Sequence, residues 1–460
     1  MPELLLDHTA LDARLGDLLE ARQWYVGYSG GVDSTVLLHL LQRWREAHAG
    51  APPLTAIHVN HAMQSAADEW QVHCERVCSF LHTPIVARTV AVQRASVGGE
   101  AAAREARYRV FEEQLQCGDI LFLGHHLDDQ VETFLLRLMR GAGVQGLAAM
   151  PATRALGEGV LVRPLLQIKR SQLEAYAGHH GLECVEDPSN SDTAMDRNFL
   201  RGELLPLLAS RWPGYRRTIV RASGHMAAAV TVLREVLPTP ATVHSVMGDP
   251  GLALDELICV SEHAGPVKLR SWLQVVGYPA PDQAVLEEFL RQLRVAAADA
   301  KPRLECSAFT LQRYRDAVYL LPEDNEACCT DSFALTTGDI HDVPGVGRVS
   351  LEPAATDGIW LAPGERLALA WRQGGERCKP LGRTGSNSLK KLLQEWDVPP
   401  WWRDRVPLLY LGDELLVVGD LWLCRSSRVR EAPAPGQGLW RLCWQRNIDA
   451  LDEDRYVDGD

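Results

Sequence analysis

Short β-like runs alternate with amphipathic segments of helical length through the first part of the chain. The β-like runs lie at residues 24–28, 54–59, 84–90 and 120–124, and the helical segments between them at 34–45, 66–81 and 101–115. Because parallel strands must be joined by a crossover, usually a helix, this alternation predicts a doubly wound, mostly parallel α/β sheet with helices on both faces. Such sheets bind ligands outside the carboxyl ends of their strands.

The alternation fades after residue 150, and 460 residues exceed what one hydrophobic core usually organises. Helical periods lie near 171–180, 198–207, 217–236 and 285–295, a proline-rich joint at 237–242, and a strand-like pair at 309–311 and 317–321. We therefore predict that a sheet domain at 1–215 is followed by a helical domain at 216–330, a small α+β domain at 331–445 and an acidic tail at 446–460.

The composition excludes several classes of protein. No run of about 18 apolar residues is present and the first residues form no basic leader, so we expect a cytoplasmic protein with no membrane partner. The eleven cysteines contain no C-x-x-C pair and no repeating frame, which predicts reduced thiols rather than a disulfide framework.

The charge of the chain is uneven. With 60 acidic and 47 basic residues the net charge is −13, which by itself argues against binding a polyanion. Residues 372–405 nevertheless contain eight basic and four acidic side chains, interleaved with Trp396, Trp401 and Trp402. This composition suits contacts with RNA phosphates and bases, and it is equally compatible with tryptophans that pack in a core.

A glycine-rich loop follows the first predicted strand. The sequence SGGVDS at residues 29–34 separates the strand WYVGY from the apolar helix start TVLLHLL. Gly30 and Gly31 permit a tight turn, and the loop amides and hydroxyls lie where the next helix presents its positive end. We predict that the loop binds the phosphates of a nucleotide through Ser29, Gly30, Gly31, Val32, Asp33 and Ser34.

This loop differs from the common P-loop, because it has no lysine and contains an aspartate. A carboxylate beside a polyphosphate is repulsive unless a divalent cation lies between them, so Asp33 indicates Mg²⁺ in the nucleotide complex. The alternative is a simple glycine turn in which Asp33 and Ser34 cap the helix.

A second polar cluster follows the fourth predicted strand, in the sequence GHHLDDQVET at residues 124–133. Asp128 and Glu132 are four residues apart, as are Asp129 and Thr133, so their side chains share one face near a helix start. Because like charges repel at that spacing, we expect a helix dipole, a metal ion or a substrate cation to compensate. The candidate catalytic residues here are His125, Asp128, Asp129 and Glu132.

Two further interpretations of this cluster stay open. Aspartates at a helix start are often ordinary caps, and the histidines can be structural. Among metals, zinc fits less well than a hard cation, because the cysteines are remote in sequence and the ligands are carboxylates. We expect Asp33 and Asp129 to be the metal ligands if the two loops converge at one edge of the sheet.

The two loop sequences resemble the PP-loop ATP pyrophosphatase superfamily, whose fold is that of the adenine nucleotide alpha hydrolases. Further motifs, in the same order, resemble one branch of it, the tRNA(Ile)-lysidine synthetase family. These motifs are HVNH at 58–61, AAAREARYRVF at 101–111, LLRLMRGAGVQGLAAM at 135–150, RPLL at 163–166, EDPSN at 186–190, RNFLR at 197–201 and LKKLLQEWDVPPWWRDRVPLLY at 389–410.

This resemblance implies a ligase that uses ATP and Mg²⁺ to join L-lysine to C2 of the wobble cytidine in tRNA(Ile) with a CAU anticodon. The implied route passes through an adenylated cytidine, releases AMP and pyrophosphate, and changes decoding from AUG to AUA. It implies a PP-loop catalytic domain at 1–215, a substrate-binding domain at 216–330 and tRNA contacts by 331–445. The sequence does not fix the oligomeric state, and a homodimer is compatible with it.

The implied reaction requires a lysine ε-amine that has lost its proton, which costs about 4–5 kcal/mol at neutral pH. We expect Asp129 first, and His125 second, to attract the lysine cation or accept its proton. Two arginine pairs have helical spacing, so each pair can face a phosphate or carboxylate, although exposed arginines are often only solvated. These candidates are Arg104 with Arg107 and Arg197 with Arg201.

Two other functions fit parts of the sequence. A thiolating enzyme of the same superfamily would need reactive cysteines or an iron–sulfur cluster, and the absence of C-x-x-C argues against it. A non-catalytic, nucleotide-regulated tRNA-binding protein would tolerate replacement of Asp33 or Asp129.

Overall fold

A computed structural model describes residues 6–61, 67–90, 99–185, 196–297, 300–322, 332–383, 385–433 and 438–446. The chain folds into two compact units, Met1–Val236 and Leu237–Asp460. The EDPSN motif and all but the first residue of the acidic tail lie outside the described residues. No helix in the described ranges is both long and apolar enough to cross a membrane.

The first unit contains six strands and ten helices within its described residues. They are α1 (Asp12–Leu15), β1 (Gln23–Gly27), α2 (Val32–Ala47), β2 (Leu54–Asn60), α3 (Ala67–Phe80), β3 (Ile85–Thr89), α4 (Gly99–Gln114), β4 (Asp119–Phe122), α5 (Leu127–Met139), α6 (Val144–Leu147), β5 (Thr153–Leu156), β6 (Gly159–Val162), α7 (Arg170–His180), α8 (Asp196–Phe199), α9 (Leu205–Arg211) and α10 (Tyr215–Val236).

The six strands form one sheet in the order β3-β2-β1-β4-β6-β5. Every neighbouring pair is parallel except the edge pair of β5 and β6. The prediction of a mostly parallel α/β sheet is confirmed, and the four predicted runs are β1 to β4. Because the chain first adds strands on one side of β1 and then places β4 on the other, the ends of β1 and β4 form the switch point at which such sheets bind ligands.

Helix α2 packs its apolar face against the centre of this sheet. Val36, Leu40 and Trp44 recur at helical spacing and are buried. The Trp44 ring lies 5.6 Å from the ring of Trp24 on β1, and Trp24 makes an edge contact of 5.2 Å with Phe122 on β4. At about 25 cal/mol per Å² of buried apolar surface, these large side chains hold the start of α2 firmly beside the ends of β1 and β4.

Helices α5, α9 and α10 and the residues just before α9 form a separate apolar cluster beside the sheet. Val131 and Leu135 of α5 pack there with Leu200, Leu205 and Tyr215. A single π-helical turn, Leu200–Leu204, joins α8 to α9. This packing holds side chains from residues 196–216 against the first turns of α5.

The second unit contains antiparallel sheets and four helices within its described residues. Its elements are β7 (Thr242–His244), β8 (Pro250–Ala253), α11 (Leu254–Ile258), α12 (Ala264–Val275), α13 (Gln283–Val295), β9 (Arg303–Glu305), β10 (Phe309–Tyr314), β11 (Ala317–Pro322), β12 (Phe333–Leu335), β13 (Ile340–Val343), β14 (Gly347–Ala354), β15 (Gly358–Trp360), β16 (Leu367–Ala370), β17 (Arg377–Cys378), β18 (Asn387–Ser388), α14 (Leu389–Glu395), β19 (Leu408–Leu411), β20 (Glu414–Val418), β21 (Trp422–Leu423), β22 (Val429–Arg430) and β23 (Leu439–Gln445).

These elements have two cores. Helices α11 to α13 pack on the sheet β7-β8-β11-β10-β9, and the predicted strand pair is the hairpin β10–β11. The later strands form two five-stranded sheets, β12-β16-β19-β20-β21 and β13-β14-β23-β15-β22, around a second core that includes α14. The predicted class, an α/β domain followed by a helical region and a small α+β domain, is confirmed.

A buried carboxylate anchors two neighbouring tryptophans of the C-terminal stretch. Trp402 is 5% exposed, and its indole N–H donates to the two oxygens of Asp249 at 2.8 and 3.0 Å. The Trp401 N–H donates to Asp249 Oδ2 at 3.2 Å, and the Ser245 hydroxyl donates to the same oxygen at 2.6 Å. Trp402 therefore packs in a core, whereas Trp396 is 40% exposed.

Replacing Asp249 with alanine should destabilise the second unit by about 2–4 kcal/mol, because two indole N–H groups lose their acceptor. Burial raises the pKa of Asp249 despite its hydrogen bonds. Since the folded pKa is above the unfolded value near 4, the stabilising contribution of this carboxyl is complete below the unfolded pKa and declines as pH rises through the folded pKa. The difference in the free energy of unfolding between wild type and Asp249→Ala should therefore be smaller at pH 8 than at pH 4.5.

Urea unfolding at pH 4.5 and pH 8, followed by tryptophan fluorescence, measures this difference. Glu262→Ala is the control, because Glu262 is an exposed carboxylate of the same unit. Equal stability of Asp249→Ala and Glu262→Ala at both pH values would contradict the role of Asp249 as an anchor.

Candidate active site

The loop after β1 requires glycine at residue 30. Its φ angle is +84°, in the left-handed region that favours glycine, and a Cβ there would lie 3.0 Å from Cys74 Sγ. The Gly30 carbonyl accepts a hydrogen bond of 2.9 Å from the backbone N–H of Val185, so the segment after α7 supports the turn. The left-handed glycine and this hydrogen bond thus fix the conformation of the loop that leads into α2.

The serine hydroxyls of the loop bond mainly within the loop. Ser34 Oγ accepts from the Ser29 backbone N–H at 3.2 Å and donates to the Gly31 carbonyl at 3.0 Å, and the two serine oxygens are 3.1 Å apart. Gly31 is the N-cap of α2, and no side chain among the described residues caps this end of the helix. The alternative in which Asp33 and Ser34 cap α2 is therefore not what the structure contains, and the helix amides remain directed at the loop.

The ends of β1 and β4 approach each other closely because Gly124 has no side chain. A Cβ at Gly124 would lie 3.0 Å from the Asp33 carbonyl oxygen and 3.2 Å from the Ser34 nitrogen. This contact brings the second cluster, at the start of α5, beside the phosphate-binding loop. The convergence expected from the parallel sheet is present.

His126 is the central side chain of this junction. It is 1% exposed, and Nε2 lies 3.5 Å from Asp33 Oδ1 and 3.5 Å from Asp129 Oδ2. His126 also caps α5, since Nδ1 accepts from the Asp129 backbone N–H at 3.4 Å while Asp129 Oδ2 accepts from the His126 N–H at 2.9 Å. Burial alone would lower the pKa of His126, but Asp33 and Asp129 outweigh it and raise that pKa.

Glu132 and Arg201 form a nearly buried ion pair next to Asp129. Arg201 donates from Nε to Glu132 Oε1 at 2.6 Å and from Nη2 to Oε2 at 2.9 Å, a bidentate geometry. The same Nη2 donates to Asp129 Oδ1 at 3.2 Å. Burial raises the pKa of Glu132 even against the opposing effect of Arg201. Arg201 thus supplies the positive charge that offsets the repulsion between the Asp129 and Glu132 carboxylates.

Asp128 faces away from this group. Its Oδ2 accepts from the backbone N–H of Arg170 at 2.9 Å, and its Oδ1 accepts from Arg216 Nε at 2.5 Å. Burial would raise the pKa of Asp128, but these two hydrogen bonds reverse the effect and lower it. The contacts tie α5 to the starts of α7 and α10, which is a positioning role.

His125 is held in its neutral form. Burial lowers its pKa, and the positive charges of Arg163, Arg104 and Arg197 act in the same direction, while Asp129 opposes them. The imidazole is therefore neutral at pH 7, but the same lowering of its pKa makes it a weaker base than an ordinary histidine, so its role as proton acceptor stays a prediction.

The two predicted arginine pairs differ in what they contact. The Arg104 guanidinium lies over the ring of Tyr108 at 5.0 Å, whereas Arg107 contacts His61 Nε2 at 3.3 Å. Arg201 binds Glu132, while Arg197 is half-buried and acts on His125 through its charge. Arg104 and Arg107 thus contact different groups, whereas Arg197 and Arg201 both act on Glu132, Arg201 through hydrogen bonds and Arg197 through its charge.

Three residues of this arrangement were not among the sequence-predicted site. Gly124 and His126 lie inside the GHHLDD motif, where a residue three positions before an acid is a signal for a capping box. Arg216 had no local signal, since its partner is 88 residues away in sequence. In the described ranges no three histidine, cysteine or acidic side chains are arranged to hold a metal by themselves.

The start of α2 lies behind a glycine turn, and acidic side chains face it from the start of α5, after the neighbouring strand β4. This arrangement is that of a PP-loop nucleotide-binding domain. Family models agree with this class: a PP-loop domain matches residues 7–208, a TilS substrate binding domain matches 268–319, and a TilS substrate C-terminal domain matches 367–444.

Among proteins similar to this chain are two named tRNA(Ile)-lysidine synthase. That of Pseudomonas aeruginosa is 40% identical over 456 residues, covering 96% of this chain and 98% of its own length. That of Pseudomonas syringae is 43% identical and covers 92% of each. A structure of the U34-tRNA thiolase NcsA from Methanococcus maripaludis aligns with 48% of this chain and 77% of its own, at a TM-score of 0.41 and 20% identity. The chain belongs to the tRNA(Ile)-lysidine synthase family.

Proposed function

We propose that this chain ligates L-lysine to C2 of the wobble cytidine in tRNA(Ile) with a CAU anticodon, at the expense of ATP. Family membership over nearly the whole chain supports this reaction. The structural observation on which it rests is that the uncapped start of α2 and the cluster of Asp129, Glu132 and Arg201 meet at one switch point, with His126 between them. Family membership also disfavours the thiolating and non-catalytic alternatives.

In the first step the cytosine 2-oxo group attacks the α-phosphate of ATP, the bond to pyrophosphate breaks, and the base becomes adenylated. Negative charge grows on the departing pyrophosphate. The first amides of α2 and its positive end are preorganised donors for that charge, because no side chain of a described residue caps this helix.

Mg²⁺ fits beside this loop. Asp33 Oδ1 is buried and accepts no hydrogen bond within the described part of the chain, which leaves a carboxylate oxygen available to a hard cation. Asp33 and Asp129 would hold the ion together with phosphate oxygens, and it would neutralise charge on the pyrophosphate.

In the second step the ε-amine of lysine attacks C2, and the C2–O bond breaks as AMP leaves with its electron pair. Asp129 is the better-placed acid to attract the lysine ammonium and accept its proton, because its side chain is 14% exposed, whereas Glu132 is 2% exposed and held bidentately by Arg201. Neutral His125 is the second candidate. Arg104, Arg107 and Arg197 remain candidates for contacts with phosphate or with the lysine carboxylate.

We further propose that residues 216–330 bind substrate, which the match of a TilS substrate binding domain to 268–319 supports, and that residues 331–445 contact the tRNA. In the latter region several arginines are already paired, as Arg372 is with Asp404 at 2.7 Å and Arg383 with Glu395 at 2.6 Å. The exposed Lys390 and Arg377 are therefore better candidates for phosphate contacts.

The assay for this function uses purified protein, ATP, Mg²⁺, lysine and a CAU-anticodon tRNA(Ile) transcript. Nucleoside analysis by mass spectrometry should detect lysidine at the wobble position. Omitting lysine, or substituting tRNA(Met), which has the same anticodon, should abolish the product. A chain that modifies neither transcript, while binding ATP, would contradict the proposal.

His126 provides a test that separates chemistry from folding. His126→Asn should keep the helix cap, because asparagine is a good N-cap residue, whereas His126→Ala should lose about 1 kcal/mol of stability. We expect both variants to form adenylated tRNA roughly 10- to 100-fold more slowly, because Asp33 and Asp129 lose the side chain that links them. Rapid-quench kinetics and thermal melts measure the two effects.

His179→Asn is the matched control, since His179 is exposed at the end of α7 and should be silent in both assays. A wild-type rate for His126→Asn would restrict His126 to helix capping and contradict its role as a positioning residue.

A further inference from the structure

Helix α10 presents a basic stripe on its solvent side. Arg217, Arg221 and His225 are spaced four residues apart and are all exposed. Tyr215 and Ser223, on the opposite side, are buried against the helical cluster beside α5. At 1.5 Å of rise per residue, neighbouring members of the stripe are separated by about 6 Å along the helix axis.

The arginines of this stripe have no acidic partners in the described structure. Neither Arg217 nor Arg221 lies within ion-pair distance of a carboxylate of a described residue, unlike other exposed arginines of the same unit such as Arg76 and Arg109. Helix α10 contains four arginines and one acid, Glu235, in a chain with a net charge of −13. The surface is therefore locally positive on an acidic protein, and such a surface attracts a polyanion.

Large aromatic side chains are exposed in the residues that lead into this stripe. Trp212, three residues before the start of α10, is 58% exposed, and the Arg211 guanidinium lies 5.9 Å from its ring centroid. Phe199 in α8 is 51% exposed, two residues before Arg201. Flat rings beside guanidinium groups are the usual platforms on which proteins stack unpaired bases.

This surface is continuous with the proposed catalytic cluster. Arg216, the neighbour of Arg217, binds Asp128 at the start of α5, and Arg201 binds Asp129 in the same turn. The start of α10 and the turn after α8 therefore both contact the first turn of α5, which carries Asp129.

We infer that Arg217, Arg221 and Trp212 form a docking surface for the tRNA substrate, in which the two arginines contact backbone phosphates and the indole stacks on an unpaired base. This inference rests on the proposed function, and it identifies a surface in the first unit that receives the RNA next to the site of adenylation. The preference for RNA over a protein partner follows from the combination of unpaired guanidiniums with exposed rings.

Steady-state kinetics and filter binding with the full-length chain test this surface. Arg217→Glu/Arg221→Glu should raise the KM for tRNA by about tenfold or more and lower the slope of log affinity against log salt by about 1.5, since two phosphate contacts are lost. Trp212→Ala should weaken tRNA binding by about tenfold with little change in that slope. The KM for ATP and the kcat at saturating tRNA should stay at wild-type values.

Arg43→Glu is the control, because Arg43 is an exposed arginine of the same unit, paired with Glu46 at 3.5 Å. Arg217→Gln/Arg221→Gln gives the milder test if charge reversal prevents folding. A wild-type chain that makes no lysidine would defeat the proposed function itself. An active wild type whose variants keep both the tRNA KM and the salt slope would mean that the stripe is only a solvated face, and would overturn the inference.

Discussion

Asp33→Asn should lower the rate of tRNA adenylation by roughly 100- to 1,000-fold while leaving the fold intact. The expected loss follows from the proposed role of Asp33 as a carboxylate ligand of Mg²⁺ beside the departing pyrophosphate, which a neutral amide fulfils poorly. The fold should tolerate the change, because Asp33 Oδ1 accepts no hydrogen bond from a described residue.

Single-turnover release of pyrophosphate, measured with saturating tRNA and lysine, gives this rate directly. Asp17→Asn serves as the control, since Asp17 is an exposed carboxylate of the same unit. Raising the Mg²⁺ concentration should partly restore Asp33→Asn if the defect lies in metal binding. A near-wild-type rate at ordinary Mg²⁺ would remove Asp33 from the site.

Arg201→Met should destabilise the first unit by about 3–5 kcal/mol, because it leaves the buried Glu132 carboxylate without its bidentate partner. Glu132→Gln/Arg201→Met should be less destabilised than Arg201→Met alone, since the double variant buries no charge. The double-mutant cycle of the two changes should therefore give a clear coupling energy. Both variants should lose activity if the cluster orients Asp129.

The loss of stability caused by Arg201→Met should depend on pH in a definite direction. Burial raises the pKa of Glu132 in the folded protein, and removing Arg201 removes a group that lowers it. For a carboxyl with a raised folded pKa, stability is greatest below the unfolded pKa near 4.3 and declines as pH rises through the folded value. Urea unfolding should show a smaller deficit for Arg201→Met at pH 5 than at pH 8. A deficit that does not change with pH would contradict an unpaired buried carboxylate as its cause.

Much of the fold was predictable because its signals are local. The strands β1 to β4 follow from short apolar runs, and the helices between them follow from their period. The parallel order then places the loop at residues 29–34 and the acids of α5 at neighbouring carboxyl ends, as the switch-point rule requires. The amino-acid sequence alone is therefore enough to place Asp33 and Asp129 at one site.

The remainder of the site depends on tertiary packing that no local pattern encodes. Arg201 and Arg216 reach α5 from 69 and 88 residues away, and their positions depend on the apolar cluster of α5, α9 and α10. Arg201 binds Glu132 directly, whereas Arg197 acts on Glu132 and His125 only through its charge, and the turn Leu200–Leu204 that follows Arg197 is π-helical. Regular helical spacing does not hold across such a turn.

The tryptophans of the C-terminal stretch illustrate a different limit. Their sequence is equally compatible with RNA contacts and with a core, because aromatic residues favour both environments. Trp402 packs in the core because its indole N–H donates to Asp249, which lies 153 residues away in sequence. Only the folded chain identifies that partner.

The central claim is that the loop at residues 29–34 directs cleavage of ATP between the α- and β-phosphates so that the nucleotide activates an RNA base. The most direct measurement is the identity of the nucleotide product from α-³²P-labelled ATP, with tRNA(Ile) present and lysine added or withheld. If the loop directs cleavage there, the label should appear in AMP-linked tRNA without lysine and should be released as free AMP, one per lysidine formed, once lysine is added. Label appearing as ADP, or AMP formed without any tRNA, would contradict it.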